Sequence, residues 1–176
     1  MNSEREARTL TFIFSKEPLS YESVLIKIMS ENPSSSLIQD RPFSEITTGE
    51  RHSQTYELNE PVYRHFMEAF SDANPIHIDE AYARDKGFDG RVMHGAILNG
   101  FLSHFVGMRF PGKSAYLQSV DIQYRSPSYL LDRLEIEAVV TQKTESVKVI
   151  VMDVLMHNRT RSALAASARV QVGFLK

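Results

Sequence analysis

Residues 95–110 read GAILNGFLSHFVGMRF, and they predict the central element of the domain. Its apolar residues cover nearly the whole circumference of a helix: Ala96, Ile97, Leu98, Phe101, Leu102, Phe105, Val106 and Met108. A helix that is apolar on almost every side has to be buried within its domain. Pro111 and Gly112 follow at once, and this pair predicts that the helix ends there.

The segments on either side of this helix have the composition of strands. Those that follow it are rich in β-branched and aromatic residues: 116–125, 134–143, 148–157 and 163–173. A further candidate strand, residues 54–58, precedes it. A strand, a buried helix and then consecutive strands predict an α+β domain in which an antiparallel sheet wraps one central helix.

Shorter helices are predicted between the first strand and the buried helix. Asn59 is a candidate N-cap for an amphipathic helix of about ten residues that has Pro61 in its first turn. Asp79 is a candidate N-cap for a helix over residues 80–86, which Gly87 ends. An earlier start of that helix at Asn74 is also compatible with the sequence.

The N-terminal stretch differs from the rest of the chain. Apolar residues occur there only in short bursts, and residues 32–36, NPSSS, are typical of a flexible loop. We expect an irregular leader or short helix over residues 1–42 and one domain over residues 43–176. An alternative is that Met29 is the natural start, so that residues 1–28 do not belong to the natural protein.

Composition argues against several classes of protein. The 176 residues carry 20 Lys and Arg against 22 Asp and Glu, and a net charge of −2 gives no bulk attraction for nucleic acid. No window approaches the roughly 18 apolar residues of a membrane span, so no membrane association is expected. The absence of cysteine excludes disulfides and thiolate chemistry, and it favours a reducing compartment such as the cytoplasm.

Residues 70–79, FSDANPIHID, bring polar groups into apolar surroundings. Asp72 and His77 flank an Asn-Pro turn, which can fold a five-residue separation back so that both side chains face one point. A carboxylate and an imidazole that share one water molecule can remove its proton and return a proton elsewhere, as addition of water to an activated double bond requires. Taken singly, Asp72 is also an ordinary turn residue and His77 an ordinary hydrogen-bonded histidine.

Several residues occur in the order of a known family motif: Asp72, Asn74, Pro75, His77, Asp79, His94, Gly95 and Ser103. From about residue 43 to 174 the chain resembles the MaoC-like family, the (R)-specific enoyl-CoA hydratases also called hydratase 2. The resemblance implies a hot-dog fold whose units pair edge to edge, and trans-2-enoyl-CoA as the substrate class. Ser71 stands where the family usually has glycine, which we expect to alter the backbone strain beside Asp72 and hence the rate.

The resemblance also implies roles for individual residues. Asp72 and His77 are the implied catalytic pair, and the backbone N–H of Gly95 is the implied oxyanion donor to the thioester. Gly95 also lies at the expected N-terminus of the buried helix, where unpaired N–H groups and the helix dipole favour negative charge. Ser103, Asn74 and His94 are candidate substrate-binding residues.

Structural interpretations stay open for several of these residues. The hydroxyl of Ser103 can bond to its own preceding helical turn, and His94 can orient the turn rather than face the site. Four apolar residues are candidates to line the acyl pocket, although core packing explains them equally well: Phe88, Val92, Met93 and Ile97.

The sequence therefore predicts a homodimeric enzyme that hydrates trans-2-enoyl-CoA reversibly to (R)-3-hydroxyacyl-CoA. No cofactor is expected, because the substrate thioester is itself the electron sink, and no metal is expected, because the histidines lack the spacing of a ligand set. One alternative is a dehydratase of 3-hydroxyacyl groups carried by acyl carrier protein, or of a specialised acyl-CoA. Another is a non-catalytic hot-dog module that binds acyl thioesters. A hot-dog thioesterase fits the motif less well.

Overall fold

The computed structural model describes residues 38–175. The predictions for the leader that fall before residue 38, including the alternative start at Met29, lie outside the described residues. Within that range, no helix combines the length and the apolar character needed to cross a bilayer.

A five-stranded antiparallel sheet forms the body of the domain, in the order β1-β3-β4-β5-β2. The strands are β1 (Arg51–Glu57), β2 (Ala115–Tyr124), β3 (Arg133–Thr144), β4 (Val149–Asn158) and β5 (Ala163–Phe174). The four strands predicted after the buried helix are confirmed to within one residue at each end. The strand expected over residues 54–58 begins earlier, at Arg51, and ends before Leu58, which is fully buried.

The central strands show the alternation of a sheet with one covered face. In β3 the buried apolar residues are Leu134, Ile136, Ala138 and Val140, and in β4 they are Ile150, Met152, Val154 and Met156. Successive side chains of a strand point to opposite faces, so each of these sets lies on one face of the sheet. All eight belong to the same hydrophobic core as the buried helix.

The buried helix covers the inner face of the sheet, as predicted. It is α-helical over Ala96–His104, here called α4, and continues as a π-helical turn over Phe105–Arg109. Leu102 and Phe105 are fully buried within it. The N–H of Phe110 donates to the carbonyl of Phe105, five residues back, at 2.9 Å, so the last turn is wider than an α-helical turn.

Three further helices lie between β1 and α4: α1 (Glu60–Phe70), α2 (Pro75–Ile78) and α3 (Glu80–Asp85). The predicted caps are confirmed. Asn59 accepts a hydrogen bond from the N–H of Val62 at 3.1 Å, and Asp79 accepts one from the N–H of Tyr82 at 3.0 Å. The earlier helical start at Asn74 also exists, as the separate helix α2.

Candidate active site

The turn between α1 and α2 is held by its own side chains. Ser71, at the end of α1, adopts a left-handed backbone with φ 53° and ψ 27°. The N–H of Asn74 donates to Oδ1 of Asp72 at 3.3 Å, and Oδ1 of Asn74 accepts from the N–H of Ile76 at 3.2 Å. The side chain of Asn74 therefore caps the helix that carries His77.

Two hydrogen bonds orient His77, which is half-buried on α2. Its Nδ1–H donates to the carbonyl oxygen of Val92 at 2.7 Å, because a carbonyl can only accept. This bond selects the tautomer in which Nε2 carries the lone pair. The hydroxyl of Tyr63 donates to the backbone carbonyl of His77 at 2.9 Å and holds the main chain of α2.

The fold brings the acid and the imidazole together. One oxygen of Asp72 and one ring nitrogen each of His77 and His94 all lie within 4.8 Å of one another. The carboxylate of Asp72 is half exposed, so water reaches it directly. A single water molecule is small enough to contact both Asp72 and the free Nε2 of His77.

His94 lies behind this pair and is 3% exposed. Its Nε2–H donates to the backbone carbonyl of Asp72 at 2.9 Å, and its ring centroid is 3.8 Å from that of His77. Burial lowers the pKa of His94 below its ordinary value, while its hydrogen bond to Asp72 opposes that shift. These contacts fit the orienting interpretation of His94: it holds the main chain at Asp72 and packs on His77.

Gly95 precedes α4 and leaves a helix N-terminus open. Within the part of the chain that the structure describes, the N–H groups of Gly95 and Ala96 have no hydrogen-bond acceptor. A Cβ at residue 95 would lie 3.3 Å from atoms of the Tyr124 ring, which is tight for a carbon contact. This terminus therefore offers unpaired donors beside a backbone that carries no side chain.

A cavity of about 340 Å³ adjoins His77, His94 and Gly95, whereas Asp72 does not line it. His77, His94 and Gly95 line it together with an apolar group made up of Leu58, Phe88, Val92, Met93 and Leu98. Three of the four predicted pocket residues thus line the cavity, whereas the fourth, Ile97, is buried in the core.

Sequence reasoning missed one wall of the cavity. The segment from Tyr124 to Ser128, at the end of β2 and in the loop that follows, completes the lining. Its sequence, YRSPS, has the composition of an ordinary turn, so no local signal distinguishes it.

Ser103 lies apart from the cavity. It is exposed on α4, eight residues beyond Gly95, and an α-helix advances about 12 Å over eight residues. Ser103 therefore does not line the cavity within this one chain, and its substrate-binding role stays a prediction.

Among the described residues, one group has ligand atoms close enough together to hold a metal ion: Asp72, His77 and His94. Their hydrogen bonds argue against three lone pairs converging on one ion. His94 presents the protonated nitrogen Nε2 to Asp72, at 3.9 Å from its Oδ2. The arrangement suits a bound water better than a cation, because the ligand atoms of a metal have to be deprotonated.

Comparisons with known proteins identify the family. The MaoC like domain matches residues 43–160, well over half of the chain. An (R)-specific enoyl-CoA hydratase from Rhodospirillum rubrum is 29% identical over 99 residues, which are 56% of this chain and 69% of that protein. A 3-hydroxybutyryl-CoA dehydratase from Methylorubrum extorquens is 30% identical over 105 residues, 60% of this chain and 59% of that protein.

A third relative acts on a different carrier according to its name. It is a mitochondrial 3-hydroxyacyl-[acyl-carrier-protein] dehydratase from Arabidopsis thaliana, 30% identical over 83 residues, 46% of this chain and 49% of that protein. The chain therefore spans between 49% and 69% of the length of these three relatives.

The solved structures agree on the fold. An unliganded R-hydratase from Pseudomonas aeruginosa superposes with a TM-score of 0.73 at 23% identity, covering 80% of this chain and 90% of that chain. The predicted hot-dog fold, with a central helix against an antiparallel sheet, is thereby confirmed. Both the matched residues and the fold show that the chain belongs to the MaoC-like family.

Proposed function

We propose that this protein catalyses the reversible (R)-specific hydration of trans-2-enoyl-CoA to (R)-3-hydroxyacyl-CoA. The observation that carries the proposal is the meeting of Asp72 and His77 within 4.8 Å, with Nδ1–H of His77 tied to the Val92 carbonyl. Nε2 of His77 then carries the lone pair of a base, and a carboxylate lies nearby. The relatives are named as an enoyl-CoA hydratase, a 3-hydroxybutyryl-CoA dehydratase and a 3-hydroxyacyl-[acyl-carrier-protein] dehydratase, and these names support the same reaction class.

The geometry suggests a sequence of proton and electron movements. Water held between Asp72 and His77 loses a proton to the pair, and its oxygen forms a bond to C3 of the enoyl group. The C2–C3 π electrons move toward the thioester, whose oxygen accepts hydrogen bonds from the open N–H groups of Gly95 and Ala96. C2 then takes a proton from the same pair, which returns to its starting state.

The environment of the site supports this assignment of roles. Burial keeps His94 neutral at neutral pH, so it adds no positive charge that would oppose protonation of His77 during the reaction. The half-exposed Asp72 stays open to water, while the apolar side chains of Phe88, Val92 and Met93 offer a wall for the acyl chain. The substrate thioester supplies the electron sink, and the proposal includes no cofactor.

We also propose that the working form is a homodimer that pairs along β2. This strand hydrogen-bonds to β5 on one side and forms one edge of the sheet. Tyr116 and Tyr124 are 44% and 50% exposed on it. An edge strand of ten residues with exposed aromatic rings is a ready surface for a second strand.

The test is the hydration of crotonyl-CoA by the purified protein, followed by chiral analysis of the product. The variant Asp72→Asn keeps the shape of the side chain but removes its basicity, and we expect turnover to fall roughly a hundredfold to ten-thousandfold. Asp85→Asn is the matched control, because Asp85 is an exposed carboxylate of α3 whose described partner is Lys86. Near-normal turnover in Asp72→Asn contradicts the assignment.

The carrier of the acyl group is a second question, and the Arabidopsis relative favours acyl carrier protein as the alternative. Parallel assays with 3-hydroxyacyl groups on both carriers decide between them. Binding of the enoyl thioester without turnover on either carrier identifies a non-catalytic module. Release of free thiol identifies a thioesterase.

A further inference from the structure

A buried carboxylate outside the proposed catalytic pair holds the loop after β2, whose residues up to Ser128 line the cavity. Asp132, in the loop between β2 and β3, is 2% exposed. It accepts hydrogen bonds from the N–H of Tyr129 at 2.8 Å, Nδ2 of Asn158 at 2.6 Å and Nε of Arg161 at 3.0 Å. A buried charge needs such a set of donors, because an unpaired one is strongly destabilising.

Arg161 extends this cluster to a second loop. It lies in the turn between β4 and β5, and its Nη1 donates to Oδ2 of Asp89 at 2.6 Å. Its guanidinium carbon is 3.9 Å from the centre of the Tyr129 ring, and the hydroxyl of Tyr129 accepts from the N–H of Asp89 at 3.2 Å. One planar fork therefore joins Asp132, Asp89 and the face of Tyr129, which a lysine could not reproduce.

The two loops joined by Arg161 are the ones that orient His77. Val92, three residues after Asp89, forms an isolated β-bridge with Tyr129, and the N–H of Met93 donates to the carbonyl of Ser128 at 2.8 Å. The carbonyl of Val92 is the acceptor for Nδ1–H of His77. A continuous series of contacts thus connects Arg161 with the hydrogen bond that selects the tautomer of His77.

We propose that Arg161 is a positioning residue for the reaction: it holds Tyr129 and Asp89 so that the Val92 carbonyl selects the catalytic tautomer of His77. The proposal rests on the proposed function, since it concerns the same site. In this proposal Arg161 contacts neither the substrate nor the reacting atoms. Displacement of the Val92 carbonyl by a fraction of an ångström suffices to weaken a 2.7 Å hydrogen bond.

The variants separate positioning from general stability. Arg161→Ala removes the whole fork, Arg161→Lys keeps the charge but not the fork, and Asp89→Asn removes only the exposed end, since the Asp89 side chain is 71% exposed. The matched control is Arg159→Ala. Arg159 lies on the same turn but pairs with Glu135 and Glu137 on the sheet, away from both loops.

The first measurement is kcat against KM for crotonyl-CoA hydration. We expect kcat of Arg161→Ala to fall about tenfold to a hundredfold while KM stays close to wild type, because misplacement of a catalytic group slows the chemical step. Arg161→Lys and Asp89→Asn should show smaller losses of kcat in the same direction. Arg159→Ala should keep the wild-type kcat.

The second measurement does not depend on activity. Nitrogen-15 NMR of the histidine rings reports which nitrogen of His77 is protonated, and we expect Nδ1–H in the wild type and a mixture of tautomers in Arg161→Ala. An unchanged kcat, or a reduced kcat with the wild-type tautomer intact, overturns the proposal. If Arg161→Ala does not fold, Asp89→Asn decides by the same two readouts.

Failure of the proposed function gives a different result. A wild-type protein that hydrates no enoyl thioester refutes the hydratase assignment, and the NMR comparison still decides whether Arg161 sets the tautomer of His77. A wild-type protein that is active, with variants that lose only thermal stability, refutes the positioning role alone.

Discussion

Ser71 shows how one residue connects backbone strain to the proposed chemistry. It ends α1 with φ 53°, in the left-handed region that favours glycine, and Asp72 follows it directly. A non-glycine residue in this region costs roughly 1–2 kcal/mol. The resemblance implied that a serine here alters the backbone strain beside Asp72. The left-handed backbone of Ser71 is the source of that strain.

We predict that Ser71→Gly raises the free energy of unfolding by about 0.5–1 kcal/mol, because relief of strain exceeds the added freedom of the unfolded chain. Turnover should change by less than about tenfold, because the backbone already has the conformation that glycine prefers and only the strain beside Asp72 is altered. Ser53→Gly, at an exposed position inside β1, is the control and should lower stability by roughly the same amount. Urea titrations of both variants check this, and a loss of stability in Ser71→Gly contradicts it.

At the scale of elements, β2 combines a bulge with a position at one edge of the sheet. It carries a bulge, because the register with β5 passes from Leu117 to Ser119 and leaves Gln118 without a partner residue. Among residues 38–175 no strand pairs with its outer edge, and Tyr124 at its end lines the cavity. A second copy paired along this edge would therefore adjoin the proposed site.

We predict that the wild-type protein sediments as a dimer and that Gln118→Pro shifts it to the monomer. Proline removes the backbone N–H of residue 118 and interrupts an added strand, while residue 118 takes no part in the register with β5. Gln118→Ala keeps the N–H and should remain dimeric. A monomeric wild type, or an unaffected Gln118→Pro dimer, in analytical ultracentrifugation refutes pairing through β2.

For the whole molecule, the protonation state of the buried His94 affects the free energy of unfolding. Its contacts span α1, α2 and the Asp72 turn, since its ring packs near Phe66 and His77 and donates to the Asp72 carbonyl. Because burial lowers its pKa, the folded protein binds fewer protons at this residue than the unfolded chain near the ordinary value of 6.5. Protonation therefore favours the unfolded state.

We predict that the free energy of unfolding falls as the pH drops from about 7 toward 5, with a slope of at most about 1.4 kcal/mol per pH unit from this one group. The sign follows from the lowered pKa: the contribution of His94 is present above its unfolded value and is lost toward its folded value. His94→Gln should flatten the slope, and His65→Gln, at an exposed position of α1, is the control. Equal slopes in the wild type and His94→Gln contradict the prediction.

The sequence alone determined the secondary-structure elements and the approach of Asp72 to His77, the proposed catalytic pair. The apolar circumference of residues 95–110, the alternation in the later strands and the caps at Asn59 and Asp79 are all set by neighbours within a few positions. The Asn-Pro turn likewise acts over five residues, so the approach of Asp72 and His77 followed from local geometry.

Only the tertiary structure decided what surrounds that pair. The Val92 carbonyl that orients His77 is 15 residues away in sequence, the Asp72 carbonyl bound by His94 is 22 residues away, and Arg161 reaches Asp89 across 72 residues. Ser103, by contrast, is close to Gly95 in sequence but is carried away from the cavity by the rise of α4. Such contacts depend on how the loops pack against the sheet, and no periodicity or turn signal within a few residues encodes that packing.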